Sequence, residues 1–332
     1  MNPSTFKTVA AFAITLALTV YVWPAHSQDE VARSFAVAEG DRVVVEVERA
    51  RIVATAWDRP EVAFSATGAD RLEFSFNQDD GELRIEGRGD GPGGLFRWLG
   101  GESRAEIALS VPYRQHLNLR TSGGDIAINR LQGEFTARTS GGDIEAGAID
   151  GPVDATTSGG GIRVEAADGA VTARTSGGSI RLGEIAGAVD AATSGGSIRI
   201  AETGAATEAR TSGGSIGIEN AGGAVRARTS GGSVEVGFAG QPEADSELRT
   251  AGGNVTVHLP DGFRAELAGS ASGGSVRSDY PGTNPERENG RGSIEQSLNG
   301  GGPELALRTS GGSIRIHRRE RLADPRITRR TP

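Results

Sequence analysis

The chain contains no cysteine, which excludes several kinds of site. Disulfides, thiolate metal ligands, cysteine nucleophiles and a lipid-bearing cysteine are all ruled out. Lysine occurs only once, at Lys7, histidine occurs four times, and aromatic residues make up 5% of the chain. With no covalent cross-links and few large side chains, the fold must gain its stability from regular stacking.

Long apolar runs are also scarce. The one such run, from Val9 to Val22, follows Lys7 and precedes Ala25-His26-Ser27, which is the pattern of a secretory signal peptide. We expect residues 1–27 to be removed and the protein to be exported to the periplasm or the extracellular side of a bacterial cell envelope. An uncleaved membrane anchor is the alternative. No later segment is long and apolar enough to be a transmembrane segment of the mature chain.

Charge of one sign does not dominate the chain. Its formal net charge is -8, and acidic and basic residues alternate along its length. The composition therefore indicates no nucleic-acid partner. Only the segment 317–332 is locally basic, and we expect it to be a disordered tail, with contact to an anionic surface as the alternative.

What the chain does have is a repeat. The tetrapeptide Thr-Ser-Gly-Gly recurs every 18 residues, and a further copy begins at Thr309. A fixed period of this length is typical of a stacked-repeat architecture. The regular copies begin at Thr121, Thr139, Thr157, Thr175, Thr193, Thr211 and Thr229.

The residue types in each repeat favour strands over helix. Glycine weakens a helix, and the Val, Ile and Thr between the glycines suit strands. Aligned repeats give apolar columns at alternate positions, so each repeat predicts two short strands that bury a face only when repeats stack. The predicted fold is all-β, a single-stranded parallel β-helix (β-solenoid) with 18-residue coils, and we expect it to be right-handed.

Four parts of the chain follow from this pattern. Residues 1–27 are the predicted signal peptide, and 35–119 are irregular N-terminal coils that hold most of the aromatic residues. Residues 120–316 are the regular repeat shaft with a closing coil, and 317–332 are the basic tail. Large, varied side chains at 35–119 would cap the open end of the solenoid.

The order of these motifs resembles the bacterial "putative adhesin" domain family of unknown function. The resemblance rests on the strands from Val43 to Val53, on Ala56-Trp57-Asp58-Arg59, on Val111-Pro112, and on the repeated Thr-Ser-Gly-Gly-(Asp/Ser)-Ile units. It covers roughly residues 35 to 316. The resemblance implies an exported β-solenoid and, by its name, adhesion; it supplies no catalytic residues.

Three arginines form the first candidate binding site. Arg163, Arg181 and Arg199 share one column, so they should stack on an outward face in consecutive coils. Such a ladder could bind an anionic glycan or a phosphate-bearing polymer. In the alternative interpretation, which the sequence favours, they form a solvated mosaic of ion pairs with neighbouring carboxylates, namely Glu145, Glu165, Glu184 and Glu202.

An apolar loop is the second candidate. The segment 91–101 places Phe96 and Trp98 with two leucines between glycines, which could contact a membrane or a protein partner. A flap folded over the solenoid is the alternative interpretation.

Signals for catalysis or metal binding are weak. The histidines of the mature chain, His116, His258 and His317, stand at three different phases of the repeat. Asp79-Asp80-Gly81 is typical of a turn. Asp125 and Asp143 could share a calcium ion, but hydrogen bonding within a turn is the favoured interpretation. We predict no catalytic residues, metal or cofactor.

The predicted function is therefore non-enzymatic. We expect a structural or adhesin-like binding surface in the cell envelope, with an anionic glycan, another envelope component or a protein as partner. A polysaccharide-active β-helix enzyme is the alternative, and an accessory factor for envelope assembly or sensing is a third possibility.

Overall fold

The computed structural model describes residues 30–89, 105–288 and 290–319. Within these ranges the protein is all-β, with two long sheets and no helix. The predicted signal peptide, the loop with Phe96 and Trp98, and the tail from residue 320 onward lie outside the described residues.

The strands are short and follow the repeat closely. In the N-terminal part they are β1 (Glu30–Ala36), β2 (Arg42–Val47), β3 (Ala50–Trp57), β4 (Glu61–Thr67), β5 (Leu72–Asp79), β6 (Glu82–Gly89), β7 (Ala105–Pro112), β8 (His116–Thr121) and β9 (Ile126–Gln132). In the repeats they are β10 (Phe135–Arg138), β11 (Ile144–Asp150), β12 (Val153–Thr156), β13 (Ile162–Ala167), β14 (Val171–Arg174), β15 (Ile180–Ile185), β16 (Val189–Ala192), β17 (Ile198–Thr203), β18 (Thr207–Arg210), β19 (Ile216–Ala221), β20 (Val225–Arg228) and β21 (Val234–Phe238). The C-terminal strands are β22 (Ser246–Thr250), β23 (Val255–Leu259), β24 (Ala265–Ala271), β25 (Val276–Ser278), β26 (Glu286–Glu288), β27 (Arg291–Leu298), β28 (Glu304–Thr309) and β29 (Ile314–Arg318).

The two sheets take alternate strands of the repeat. Sheet A has 14 strands in the order β1-β4-β7-β3-β9-β11-β13-β15-β17-β19-β21-β23-β29-β25. Sheet B has 15 in the order β26-β27-β24-β28-β22-β20-β18-β16-β14-β12-β10-β8-β2-β6-β5. Through the repeats the pairing is parallel, and paired residues lie 18 apart, as Ile144 with Ile126 and Ile162. This arrangement is consistent with a β-solenoid.

A narrow core separates the sheets. Sheet A contributes large branched side chains such as Ile180 and Leu182, whereas sheet B contributes one larger residue and one alanine per strand, such as Val171 and Ala173. All four are buried. A bulky wall packed against a wall containing alanine gives a thin, continuous core, and each coil buries its apolar face only because it has neighbours.

The Thr-Ser-Gly-Gly sequence forms the corner between a strand of sheet B and the next strand of sheet A. The buried Thr175 hydroxyl donates to the Gly160 carbonyl of the preceding coil at 2.7 Å, and the same contact repeats along the stack. A Cβ on Gly178 would lie 2.0 Å from the Gly160 oxygen. The second glycine is therefore required by the close approach of successive coils at this corner.

The N-terminal end departs from the order of the sequence. The coil made by β2 and β3 lies between the β6–β7 coil and the β8–β9 coil. The chain therefore forms its first coil one position inside the end, adds the next coil on the outer side, and then continues on the inner side. β1, β4 and β5 add antiparallel pairings at this end. There the Phe64 ring contacts those of Phe74 and Phe76 at centroid distances of 5.1 and 5.4 Å.

The C-terminal end also has a coil that lies out of sequence order. Sequence order predicts that the coil at 305–316 closes the solenoid, but its strands β28 and β29 lie one coil inside the end, between β22–β23 and β24–β25. The irregular stretch before it forms β26 and β27, which extend sheet B: β27 pairs antiparallel with β24, and β26 pairs antiparallel with β27. The edge strand β26, Glu286–Glu288, is fully exposed, and its charges discourage pairing with another chain.

Candidate functional site

The outer surface of sheet A, which we call face A, carries the arginine ladder. Arg163 pairs in register with Arg181, and Arg181 with Arg199, on β13, β15 and β17. All three side chains are exposed. Among the described residues, no carboxylate oxygen lies within 4.0 Å of any of these guanidinium groups. Glu145 nevertheless stands beside Arg163 in the same column, so this face carries the expected mixture of acidic and basic residues, but without direct ion pairs to the three arginines.

A strip of small residues lies beside the ladder, between two charged columns, and we call this strip the trough. Arg181 and Arg199 form one wall, and Glu184 and Glu202, which pair in register one coil apart, form the other. The floor between these walls is Gly183 and Ala201. A larger residue is excluded at position 183, because a Cβ on Gly183 would lie 2.0 Å from the Glu165 carbonyl oxygen. Face A thus presents a cationic row and an anionic row, side by side and not in direct contact.

The trough widens where the ladder ends. Gly217 follows Arg199 in the same column, and a Cβ built there would have no neighbour within 4 Å. The missing side chain leaves a groove of about 550 Å³, whose lining residues include Arg181, Arg199, Glu219, Glu235, His258 and Arg319. Alignment of the repeats could have identified this position, because Gly217 comes directly after the three arginines in their column and has no side chain.

Arg319 forms one end of this groove. Its guanidinium donates to the carbonyl oxygen of Phe238 at 3.2 Å and to the side-chain oxygen of Asn220. Both acceptors are neutral, and within the described part of the chain no carboxylate pairs with Arg319. The groove therefore has three arginines whose charge is not neutralised by an ion pair. The sequence pattern places Arg319 in the basic tail and therefore predicts no contacts for it.

Two histidines stack at the groove, which one of them, His258, lines. His258 and His317 lie in one column of sheet A with ring centroids 5.3 Å apart, so the expectation that the histidines occupy three different phases is wrong for this pair. His258 Nε2 lies 3.0 Å from Glu235 Oε1, and His317 Nδ1 lies 2.8 Å from Asp279 Oδ2. The hydrogen bond from His317, together with one from the Arg318 backbone, lowers the pKa of Asp279 below its ordinary value.

The outer surface of sheet B, face B, is different. Most arginines of its repeat strands pair with carboxylates on the same face, as Arg138 does with Asp154 at 2.9 Å, whereas the exposed Arg226 and Arg249 form no ion pair within the described residues. Glu247 lies between Arg228 and Arg308, and the hydrogen bond from Arg228 lowers the pKa of this carboxyl. The remaining pairs of the repeat join Arg174 to Asp190, and Arg210 to Asp190 and Glu208.

The Asp125 and Asp143 column is a hydrogen-bond ladder. The Asp125 carboxylate accepts from the Asp143 backbone at 2.9 Å, and the Asp143 carboxylate accepts from the Gly161 backbone at 2.6 Å. Serines continue the column, as when Ser179 accepts from the Ser197 backbone at 3.2 Å. Each side chain thus ties its coil to the next. No group of three or more histidines, aspartates or glutamates suited to a metal occurs in the described residues.

The Asp80-Gly81 turn and the segment with Phe96 and Trp98 are the remaining candidates. Asp80 and Gly81 have positive φ and make the turn between β5 and β6, as their sequence predicts. Phe96 and Trp98 lie outside the described residues, so their role stays a prediction. In the part of the chain that the structure describes, no helix is long and apolar enough to cross a membrane.

Comparison with known proteins identifies a family. The sequence model of the family described as Toastrack DUF4097 matches residues 41–317. The search of curated proteins gives no match.

Three solved structures match the chain over most of their length. A "putative cell adhesion protein" from Clostridium sporogenes is 12% identical, with 87% of this chain and 99% of that chain covered and a TM-score of 0.21. A "putative adhesin" from Parabacteroides merdae is 10% identical, with 88% and 97% covered and a TM-score of 0.38. A "putative lipid binding protein" from Parabacteroides distasonis is 13% identical, with 88% and 98% covered and a TM-score of 0.32.

Proposed function

The chain belongs to the Toastrack DUF4097 family, and on that premise we propose that it is a non-enzymatic, adhesin-like protein of the bacterial cell envelope. Its face A is the recognition surface, and its ligand is an anionic polymer of the envelope. We infer further that the 18-residue coils are right-handed, since connections between parallel strands of one sheet strongly favour that hand.

One observation carries the proposal. Arg163, Arg181 and Arg199 stand one above another without an ion pair, although like charges directly opposite in a sheet are destabilising. Neighbouring strands are about 4.8 Å apart, so each guanidinium lies within the Debye length of the next. An arrangement that disfavours the free protein is favourable once a polymer with regularly spaced anionic groups binds, because guanidinium groups bind carboxylates and phosphates in bidentate fashion.

Co-sedimentation with isolated cell walls and outer membranes tests the proposal. The mature chain should sediment with one of these fractions, and the Arg163→Gln, Arg181→Gln, Arg199→Gln triple variant should not. The matched control is the triple variant Arg138→Gln, Arg174→Gln, Arg210→Gln, which removes the same charge from face B. Equal loss of binding in both variants would indicate a general charge effect and would contradict a site on face A.

Two further measurements address the remaining parts of the proposal. Bound polymer should be recovered at its original length after prolonged incubation; shortened chains would favour the alternative of a polysaccharide-active enzyme. Fractionation of cells should find the protein in the periplasm or outside the cell, cleaved near residue 27. Recovery of the uncleaved protein in the cytoplasm would contradict the envelope assignment.

A further inference from the structure

We propose that the trough on face A binds an acidic polysaccharide that carries one carboxylate on each sugar unit, a chain of uronate type. The inference rests on the proposed function and names the class of polymer that the surface recognises. It follows from the two unlike walls of the trough, from the spacing of the ladder and from the groove at Gly217.

The unlike walls select a ligand with two unlike edges. Arg181 and Arg199 offer only donors, whereas Glu184 and Glu202 offer only acceptors at neutral pH. A uronate chain presents carboxylates to the guanidinium groups and hydroxyl donors to the glutamates. A polyphosphate chain has charge on every side and no hydroxyls along its length, so the glutamate wall would repel it.

The spacing of the ladder fits one charge per sugar. Parallel partners in sheet A repeat at about 4.8 Å, which is comparable with the length of one sugar ring in an extended chain. Carboxylates that project from the same edge of the chain could then meet arginines of the ladder, at Arg163, Arg181 and Arg199. Binding several weak sites on one chain raises the overall affinity well above that of a single contact.

The groove at Gly217 gives the trough a defined end. A sugar unit placed there would lie between Arg199 and Arg319, neither of which has a carboxylate partner in the described chain, and beside Glu219. The open space above Gly217 makes this position testable, because a large side chain can enter it without displacing the backbone. Filling the groove should therefore block the ligand and leave the fold intact.

Binding measurements with three polymers test the class of ligand. The probes are oligogalacturonate, its methyl ester, which has the same backbone without charge, and inorganic polyphosphate. We expect oligogalacturonate to bind the wild-type protein more tightly than either of the others. Loss of the three ladder arginines should weaken that binding by at least about 10-fold. Tighter binding of polyphosphate would overturn the inference while leaving the proposed function standing.

Variants of the glutamate wall should change the affinities for the two polymers in opposite directions. With Glu184→Gln and Glu202→Gln combined, affinity for oligogalacturonate should fall by about 3-fold to 10-fold, since a charged acceptor becomes neutral. Affinity for polyphosphate should rise, because the repulsion is removed. A rise for both polymers would contradict the role of this wall in accepting sugar hydroxyls.

A substitution at Gly217 tests the groove itself. Gly217→Tyr should weaken oligogalacturonate binding, and Gly123→Tyr is the matched control, because a Cβ there would meet only Arg49 Cγ, at 3.8 Å, and Gly123 lies in the corner between β8 and β9, away from the groove. Circular dichroism verifies that both variants fold. Unchanged binding in folded Gly217→Tyr would exclude the groove. If instead the arginine triple variant binds every polymer as well as the wild type does, the proposed function itself fails.

Discussion

Face A and face B are the two sides of one stack, and both carry arginines in register on neighbouring strands, yet most of the arginines on face B are paired and those of the ladder on face A are not. On face B, Arg138, Arg174 and Arg210 each pair with a carboxylate beside them. On face A, Arg163 and its two neighbours in the column have no such partner among the described residues. Paired charges solvate and modestly stabilise a surface. Unpaired like charges in a row do neither, which is why we place recognition on face A and solvation on face B.

The corner that joins the two faces should give the largest effect. Gly178→Val places side-chain atoms where the Gly160 carbonyl lies, at 2.0 Å from the new Cβ, so the coils must separate. We expect a loss of at least about 3 kcal/mol in the free energy of unfolding, and both faces should be lost together. Urea denaturation measures it. Gly217→Val, which has open space, is the control, and equal destabilisation of the two variants would contradict the steric argument.

The threonine of the same corner should come next. Thr175→Val keeps the shape of the side chain but removes the hydroxyl that donates to Gly160 and accepts from the Gly178 backbone. A partly buried carbonyl and a partly buried amide lose a partner, so the free energy of unfolding should fall by about 1 to 2 kcal/mol. Thermal and urea unfolding check it. The result would be contradicted if Thr175→Val matched the wild type.

Face B should respond more weakly, and its response should depend on pH. Glu247→Gln removes the partner of Arg228 and Arg308 and should cost about 1 kcal/mol near neutral pH. The folded pKa of Glu247 is lowered, so its contribution is present above the unfolded pKa and is lost as the pH falls through the folded one. The Tm difference from the wild type should shrink below about pH 4. A difference that grew in acid would refute this reasoning.

Face A should show the smallest effect, with the opposite sign. Replacing Arg163, Arg181 and Arg199 by glutamine relieves repulsion along the column, so the free protein should gain a few tenths of a kcal/mol at low salt. The gain should vanish as salt is added. Urea denaturation at two ionic strengths measures it. Destabilisation by about 1 kcal/mol, as on face B, would show that these arginines have structural partners after all.

The repeat predicted the local structure because its forces are local. Ile180 and Leu182 are buried where the columns place them, and β15 begins at the first residue after the Gly-Gly-Ser corner. Ion pairing was harder to predict. The columns show which residues lie above one another, but not whether side chains in neighbouring columns come within ion-pairing distance. Face A carries the expected mixture of acidic and basic residues without ion pairs to the three ladder arginines, whereas direct pairs form on face B.

The order of the end coils could not be read from the period. His258 and His317 are 59 residues apart, which is not a whole number of 18-residue repeats, so the sequence assigns them different phases. The chain nevertheless pairs β23 with β29 directly. The strands between them in sequence form the coil on the far side of β29, where β25 pairs with it. Contacts of this kind depend on where the chain turns back, and nothing in the periodicity encodes it.

The inserted last coil has a mechanical consequence. In a simple stack, a pull on the chain end peels off an edge coil, which has one neighbour. Here β28 and β29 have a neighbour on each side, so force applied at residue 319 must break two rows of backbone hydrogen bonds per strand before the coil leaves. A protein that tethers a polymer while its own end is held would gain resistance to unravelling under tension from the order of its strands alone.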